Sequence, residues 1–117
     1  MKKDICERTF QFALDIIEFC HFLERGQLTE RLLAKQLFRS GTSVGANVEE
    51  AQAGQSRADF ISKMSIARKE ARETKYWLRL AKASKIGSSE IAEKMINETN
   101  EFIAILTAII KKTKGNS

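Results

Sequence analysis

The sequence predicts an all-α fold, an antiparallel up-down-up-down four-helix bundle in one domain over residues 1–117. Three features lead there. The chain of 117 residues contains no proline, and a proline inside a helix costs about 3 kcal/mol. Four stretches repeat apolar residues every three or four positions, the period of a helix. Short turns bearing glycine and serine separate them, and short loops between long helices favour antiparallel neighbours. The length suits one hydrophobic core, and 43% apolar residues is a folded composition rather than a disordered one.

The first helix is expected over residues 4–24, with Ile5, Thr9, Phe12, Ile16, Cys20 and Leu23 on one face. Phe10, Ile17 and Phe19 fall off that stripe and give the helix a second apolar surface. Gly26 follows as a terminating cap. Thr29 is the candidate cap of a second helix to residue 53, carrying Leu33, Leu37, Val44, Val48 and Ala51. Its middle, Ser40-Gly41-Thr42-Ser43-Val44-Gly45-Ala46, is poor in helix formers. Two readings stay open there: a break, or small residues that let a neighbouring helix come close. A continuous but kinked helix is the favoured form.

Ser56, with Asp59 three residues on, resembles a capping box. The third helix, residues 57–84, repeats Phe60, Met64, Ala67, Ala71, Thr74, Leu78 and Ala81 at spacings of four and three. That is an a/d seam whose centre is small, fit to receive bulky side chains from the outer helices. Ile86-Gly87-Ser88-Ser89 makes the last turn. The fourth helix, residues 90–112, carries Ile91, Met95, Phe102, Leu106 and Ile109 on one side and Ile96, Ile103 and Ile110 on another. Phe10, Ile17, Ile96, Ile103 and Ile110 thus exceed the single stripe a lone bundle needs, and they favour self-association. The alternative is that helix rotation buries them within one bundle.

Charge is unevenly spread. Residues 57–85 hold nine basic and three acidic residues, a net +6, while residues 4–25 and 90–110 are each −3. Arg68, Arg72, Lys75, Arg79 and Lys82 recur at helical spacing along one face, and Lys111 and Lys112 add a basic tail. Such a stripe attracts phosphate backbones without reading sequence. The plain alternative is an ordinary solvated helix face. Aromatic residues near the stripe are limited to Tyr76 and Trp77.

Other classes of function find little support. The longest apolar run, Ile103 to Ile110, is far short of the ~20 residues that span a bilayer, and charges interrupt any signal-type segment. Cys6 and Cys20, on one helix, lie about 21 Å apart along its axis and cannot bridge. A cytoplasmic protein is expected. The single histidine, His21, excludes a di-iron bundle. Glu49 and Glu50, or Glu70 and Glu73, lack histidine partners for a metal and are better read as partners of Arg39, Arg68 or Arg72. No phosphate-binding glycine loop is present, and neither cysteine has an obvious base. An enzyme is not expected, nor a cofactor.

Two segments carry a resemblance. Ser43-Val44-Gly45-Ala46-Asn47-Val48-Glu49-Glu50-Ala51 resembles the second-helix signature of a bacterial four-helix-bundle family first noticed in intervening sequences of large-subunit ribosomal RNA genes. Ala67-Arg68-Lys69-Glu70-Ala71-Arg72-Glu73-Thr74-Lys75-Tyr76-Trp77-Leu78-Arg79-Leu80 resembles its third-helix pattern. The chain departs at Gly45, where many members have proline, and at Ala51, often glycine. The resemblance implies an up-and-down bundle without known catalysis, assembling as a homopentameric ring. The family is similar to the accessory protein of diversity-generating retroelements, which implies nucleic acid and a reverse transcriptase as partners.

The resemblance also marks Asn47, Glu50, Glu70 and Glu73. Physically they suit a polar network joining helices two and three, with Asn47 serving backbone groups near Gly45 and the glutamates holding Arg68 or Arg72. The leading expectation is a non-enzymatic assembly that binds nucleic acid, RNA foremost, through the third helix. The alternative is a protein-interaction scaffold that docks a partner such as a polymerase.

Overall fold

The computed structural model describes residues 2–115, with side-chain surroundings from Ile5 onward. It is a four-helix bundle: α1 (Lys2–Leu23), α2 (Leu28–Gln52), α3 (Arg57–Ala83) and α4 (Ser89–Gly115). The rod measures 50 × 21 × 19 Å. Each helix packs along the next in sequence, and α4 closes on α1 through the thinnest of the four contacts.

The stripes predicted for α1 and α3 form the core. Ile5, Thr9, Phe12, Ile16, Cys20 and Leu23 are buried, as are Met64, Ala67, Ala71, Thr74, Leu78 and Ala81; Phe60 is half-buried. Aliphatic or aromatic burial of this kind is worth about 1.5–3 kcal/mol per large side chain. Phe12 meets the ring of Phe102 edge-on, with centroids 5.3 Å apart.

In α4 the buried positions are Ala92, Met95, Ile96, Thr99, Phe102, Leu106 and Ile110. The helix is therefore rotated so that Ile96 and Ile110 belong to the core of one chain rather than to an outer patch, and Ile91 faces solvent. Ile103 is half-buried. Phe19 is buried too, whereas Phe10 and Ile17 remain exposed.

The glycine-bearing middle of α2 is helical without interruption. Its small residues admit α1: a Cβ on Gly41 would stand 2.8 Å from Ile16, and one on Gly45 would stand 3.1 Å from the carbonyl oxygen of Thr9. The hydroxyls of Ser40, Thr42 and Ser43 donate back to the carbonyls of Gln36, Phe38 and Arg39. Those bonds satisfy polar side chains inside a helix that propensity alone would not favour.

The helix ends differ in detail from expectation. The cap of α2 is Gln27, not Thr29, and its N–H donates to the Glu30 carboxylate at 3.0 Å. Gly26 is not a left-handed cap, since positive φ among the described residues occurs only at Lys85 and Gly87. Ser56 caps α3, its hydroxyl accepting from the Asp59 N–H at 3.1 Å. After α3 the Ile86 N–H donates to the Ala81 carbonyl at 2.8 Å and the Lys85 N–H to that of Lys82 at 3.1 Å. This is a Schellman closure, and Lys85 occupies its left-handed position at φ 59°.

Candidate nucleic-acid interface

Two flanks of α3 border its buried core stripe, one toward α4 and one toward α2. On the flank toward α4 lie Arg68 and Lys82, each engaged with that helix. Arg68 donates to the Thr107 hydroxyl at 3.2 Å, and Lys82 forms an ion pair with Glu93. Both ends of the predicted stripe are thus tied down.

Between them, Arg72, Lys75 and Arg79 have no acidic partner among the described residues. Arg72 and Arg79 are exposed and Lys75 is half-buried. Lys111 and Lys112 are exposed at the far end of α4. Arg68 keeps its charge, since the Thr107 hydroxyl is neutral, and the cations with no side-chain partner of any kind among the described residues lie in the middle of the stripe.

The other flank faces α2 and holds the acidic residues. Arg39 of α2 forms an ion pair with Glu73 and approaches Glu70 at 3.5 Å. The Trp77 indole N–H donates to Glu73 at 3.1 Å. One Glu70 oxygen is buried without a hydrogen bond. Neither Arg68 nor Arg72 takes part, for a geometric reason: side chains one or two positions apart on a helix do not face each other. A purely apolar neighbour would leave these carboxylates unsatisfied, and Arg39 is the group that meets them.

Asn47 stays within α2, where its amide donates to the Ser43 carbonyl at 2.9 Å, beside Gly45. Glu50 is exposed. Of the four polar positions marked in the sequence, Glu70 and Glu73 meet at Arg39, while Asn47 and Glu50 do not join them. A buried link between α2 and α3 does exist, at Thr74 and Ser40, whose hydroxyl oxygens are 2.9 Å apart.

The four-residue spacing of Glu73 and Trp77 is the sequence signal of their bond. Arg8, which no spacing in the sequence marks, donates to Glu98 at 3.0 Å and Glu101 at 2.6 Å. The Arg8 guanidinium lies 5.4 Å from the centroid of the Phe102 ring. These contacts are the polar closure of α1 on α4. Among the described residues, no three His, Cys, Asp or Glu side chains gather as a metal site requires, and no helix is long and apolar enough to cross a membrane. Neither Cys6 nor Cys20 forms a disulfide among the described residues. Burial pushes Cys20 up to about 11, helped by the nearby Glu24 charge, and its thiol points at the Ala34 carbonyl, 3.3 Å away.

The family model described as 23S rRNA-intervening sequence protein matches residues 1–108. The chain belongs to that family. A crystal structure from Bacteroides thetaiotaomicron, of a protein with unknown function from the S23 ribosomal protein family, has 42% identity and a TM-score of 0.86. The likeness covers 92% of this chain and 98% of that one. No curated protein matches. For a 23S rRNA-intervening sequence protein the description names a genetic setting rather than a reaction.

Proposed function

We propose that this protein is a non-enzymatic, self-assembling bundle that binds nucleic acid, RNA foremost, through the outward side of α3. The observation that carries the reading is the run of Arg72, Lys75 and Arg79 without acidic partners among the described residues. It lies in residues 57–85, a segment of net +6, whereas residues 4–25 and 90–110 are each −3. Cations without partners are free to replace the counterions of a phosphate backbone. Lys111 and Lys112 extend the basic surface. Two cysteines too far apart on one helix to bridge are in keeping with a reducing, cytoplasmic setting.

Self-assembly is supported by an apolar band on the opposite side of the bundle: Phe10, Leu14 and Ile17 of α1 with Leu28, Leu32 and Phe38 of α2, all exposed. Exposed apolar side chains gathered on adjacent helices are what an interface presents. Five copies is the number the family resemblance implies. A ring would repeat the α3 stripe and add the fields of its copies. The same band supports the second reading, a scaffold that docks a protein partner such as a reverse transcriptase without binding nucleic acid itself.

The test is a titration of the purified protein with single-stranded RNA and with duplex DNA at two salt concentrations, alongside its mass in solution. Binding at low salt that weakens steeply as salt rises is expected, from a species several times the 13.2 kDa chain. Absence of binding at low salt, or binding indifferent to salt, sinks the nucleic-acid reading. A monomer sinks the assembly.

A further inference from the structure

We propose that Tyr76 is a stacking platform for an unpaired base, so that the α3 surface takes single-stranded rather than duplex nucleic acid. This rests on the nucleic-acid reading above and deepens it. Tyr76 is 53% exposed in the middle of α3. Arg72 lies four residues before it and Arg79 three residues after, so two of the cations without acidic partners are its neighbours on the helix surface. Leu80, four residues after, is exposed as well.

The ring packs against an anchored neighbour. It meets the Trp77 ring edge-on, with centroids 5.2 Å apart and planes at 69°. Trp77 is half-buried and anchored through its N–H to Glu73, which Arg39 of α2 holds in turn. A tether from the neighbouring helix therefore holds Trp77 beneath Tyr76's edge-on contact, and a partner held in advance lowers the freedom lost on binding. Tyr76 also lines an open groove between α3 and α4, about 580 Å³, with Leu80 and Ile96 among its apolar lining, Lys75 and Arg79 as its cations without acidic partners, and the Lys82–Glu93 ion pair in its wall.

That combination separates the two forms of nucleic acid. A duplex offers phosphates to the cations but hides the faces of its bases in its own stack, so an exposed tyrosine adds nothing. A single strand offers both, and stacking on an aromatic ring is tolerant of sequence because every base has a π-face.

The test measures fluorescence anisotropy of three labelled RNA probes of equal length at one low salt concentration. They are an unstructured single strand, the same strand with abasic sites throughout, and a duplex. The proteins compared are the unaltered chain, Tyr76→Ala, Tyr76→Phe and the double variant Arg72→Ala with Arg79→Ala. Tyr76→Ala is expected to weaken single-strand binding about tenfold and to leave the abasic strand and duplex unchanged. Tyr76→Phe keeps the ring and is expected to bind as the unaltered chain does. The arginine variant is expected to weaken all three probes. If it does so while Tyr76→Ala weakens none, or all three equally, the platform is overturned and the nucleic-acid reading stands. If no probe binds at low salt, both fall. Circular dichroism checks that Tyr76→Ala retains its helices, and Tyr76→Phe decides the matter if it does not: a loss of single-strand binding with an intact ring overturns the proposal.

Discussion

Lys85 is the one non-glycine residue with positive φ among those described. A side chain in the left-handed region costs roughly 1–2 kcal/mol, and glycine escapes that cost. Lys85→Gly is therefore expected to stabilise the chain by up to about 1 kcal/mol, since the more flexible unfolded glycine returns part of the gain. Chemical denaturation would measure it; a loss of stability would mean that the lysine side chain contributes more than its backbone strain. Nothing in the sequence marked this position, because the signal sought at a helix end is glycine and the nearest, Gly87, lies two residues further on. Cys20 is a second case. Its folded pKa, about 11, lies above the ordinary thiol value of 9.0. Between these values the unfolded chain gives up a proton that the folded chain keeps. The thiol's contribution to stability is thus full below pH 9 and is lost as pH rises toward 11. Cys20→Ala should flatten that part of the stability profile, whatever cost its cavity adds at every pH.

Among the elements, α2 shows where propensity and packing disagree. Two glycines and a run of Ser and Thr argue against a helix locally, yet α2 continues through them because the space they leave is where α1 lies. Gly45 faces backbone, which cannot rotate aside as a side chain can. Adding a methyl there costs about 1–3 kcal/mol of overpacking, against a gain of about 1 kcal/mol in helix propensity. Gly45→Ala is expected to destabilise by about 1 kcal/mol, and an unchanged or raised melting temperature would show that α1 yields. The stripes of α1 and α3 were legible because their period is regular and uninterrupted. The rotation of α4 was not, because isoleucines occur on two of its sides and periodicity cannot rank them. Ile96 and Ile110 lie inward only through the placement of α3 and α1 around them.

For the whole molecule, the stripe of cations was legible as composition and spacing, but its division was not. Which arginine is free depends on what the next helix presents to it: Thr107 to Arg68, Glu93 to Lys82, and nothing acidic to Arg72 or Arg79. Those pairings join residues far apart in sequence and need the relative phase of two helices. The consequence is measurable in the salt dependence of binding. Each phosphate contact removed lowers the slope of log K against log salt by about one. Arg72→Ala and Arg79→Ala should each do so, whereas Arg68→Ala should change it little. Equal effects at all three positions would place the contact along the whole stripe.

The thin closure of α4 on α1 bears on how the bundle breathes. The seams of α2 with α1 and with α3 have small residues and lie close, while the fourth seam depends on Arg8 and its two glutamates and on the Phe12–Phe102 pair. Regions with fewer contacts open at lower free energy. The rod should behave as a book whose spine is α2 and α3 and whose covers are α1 and α4. Amide hydrogen exchange should then run faster in the covers than in the spine, and raising the salt should widen the difference as Arg8 loosens its hold.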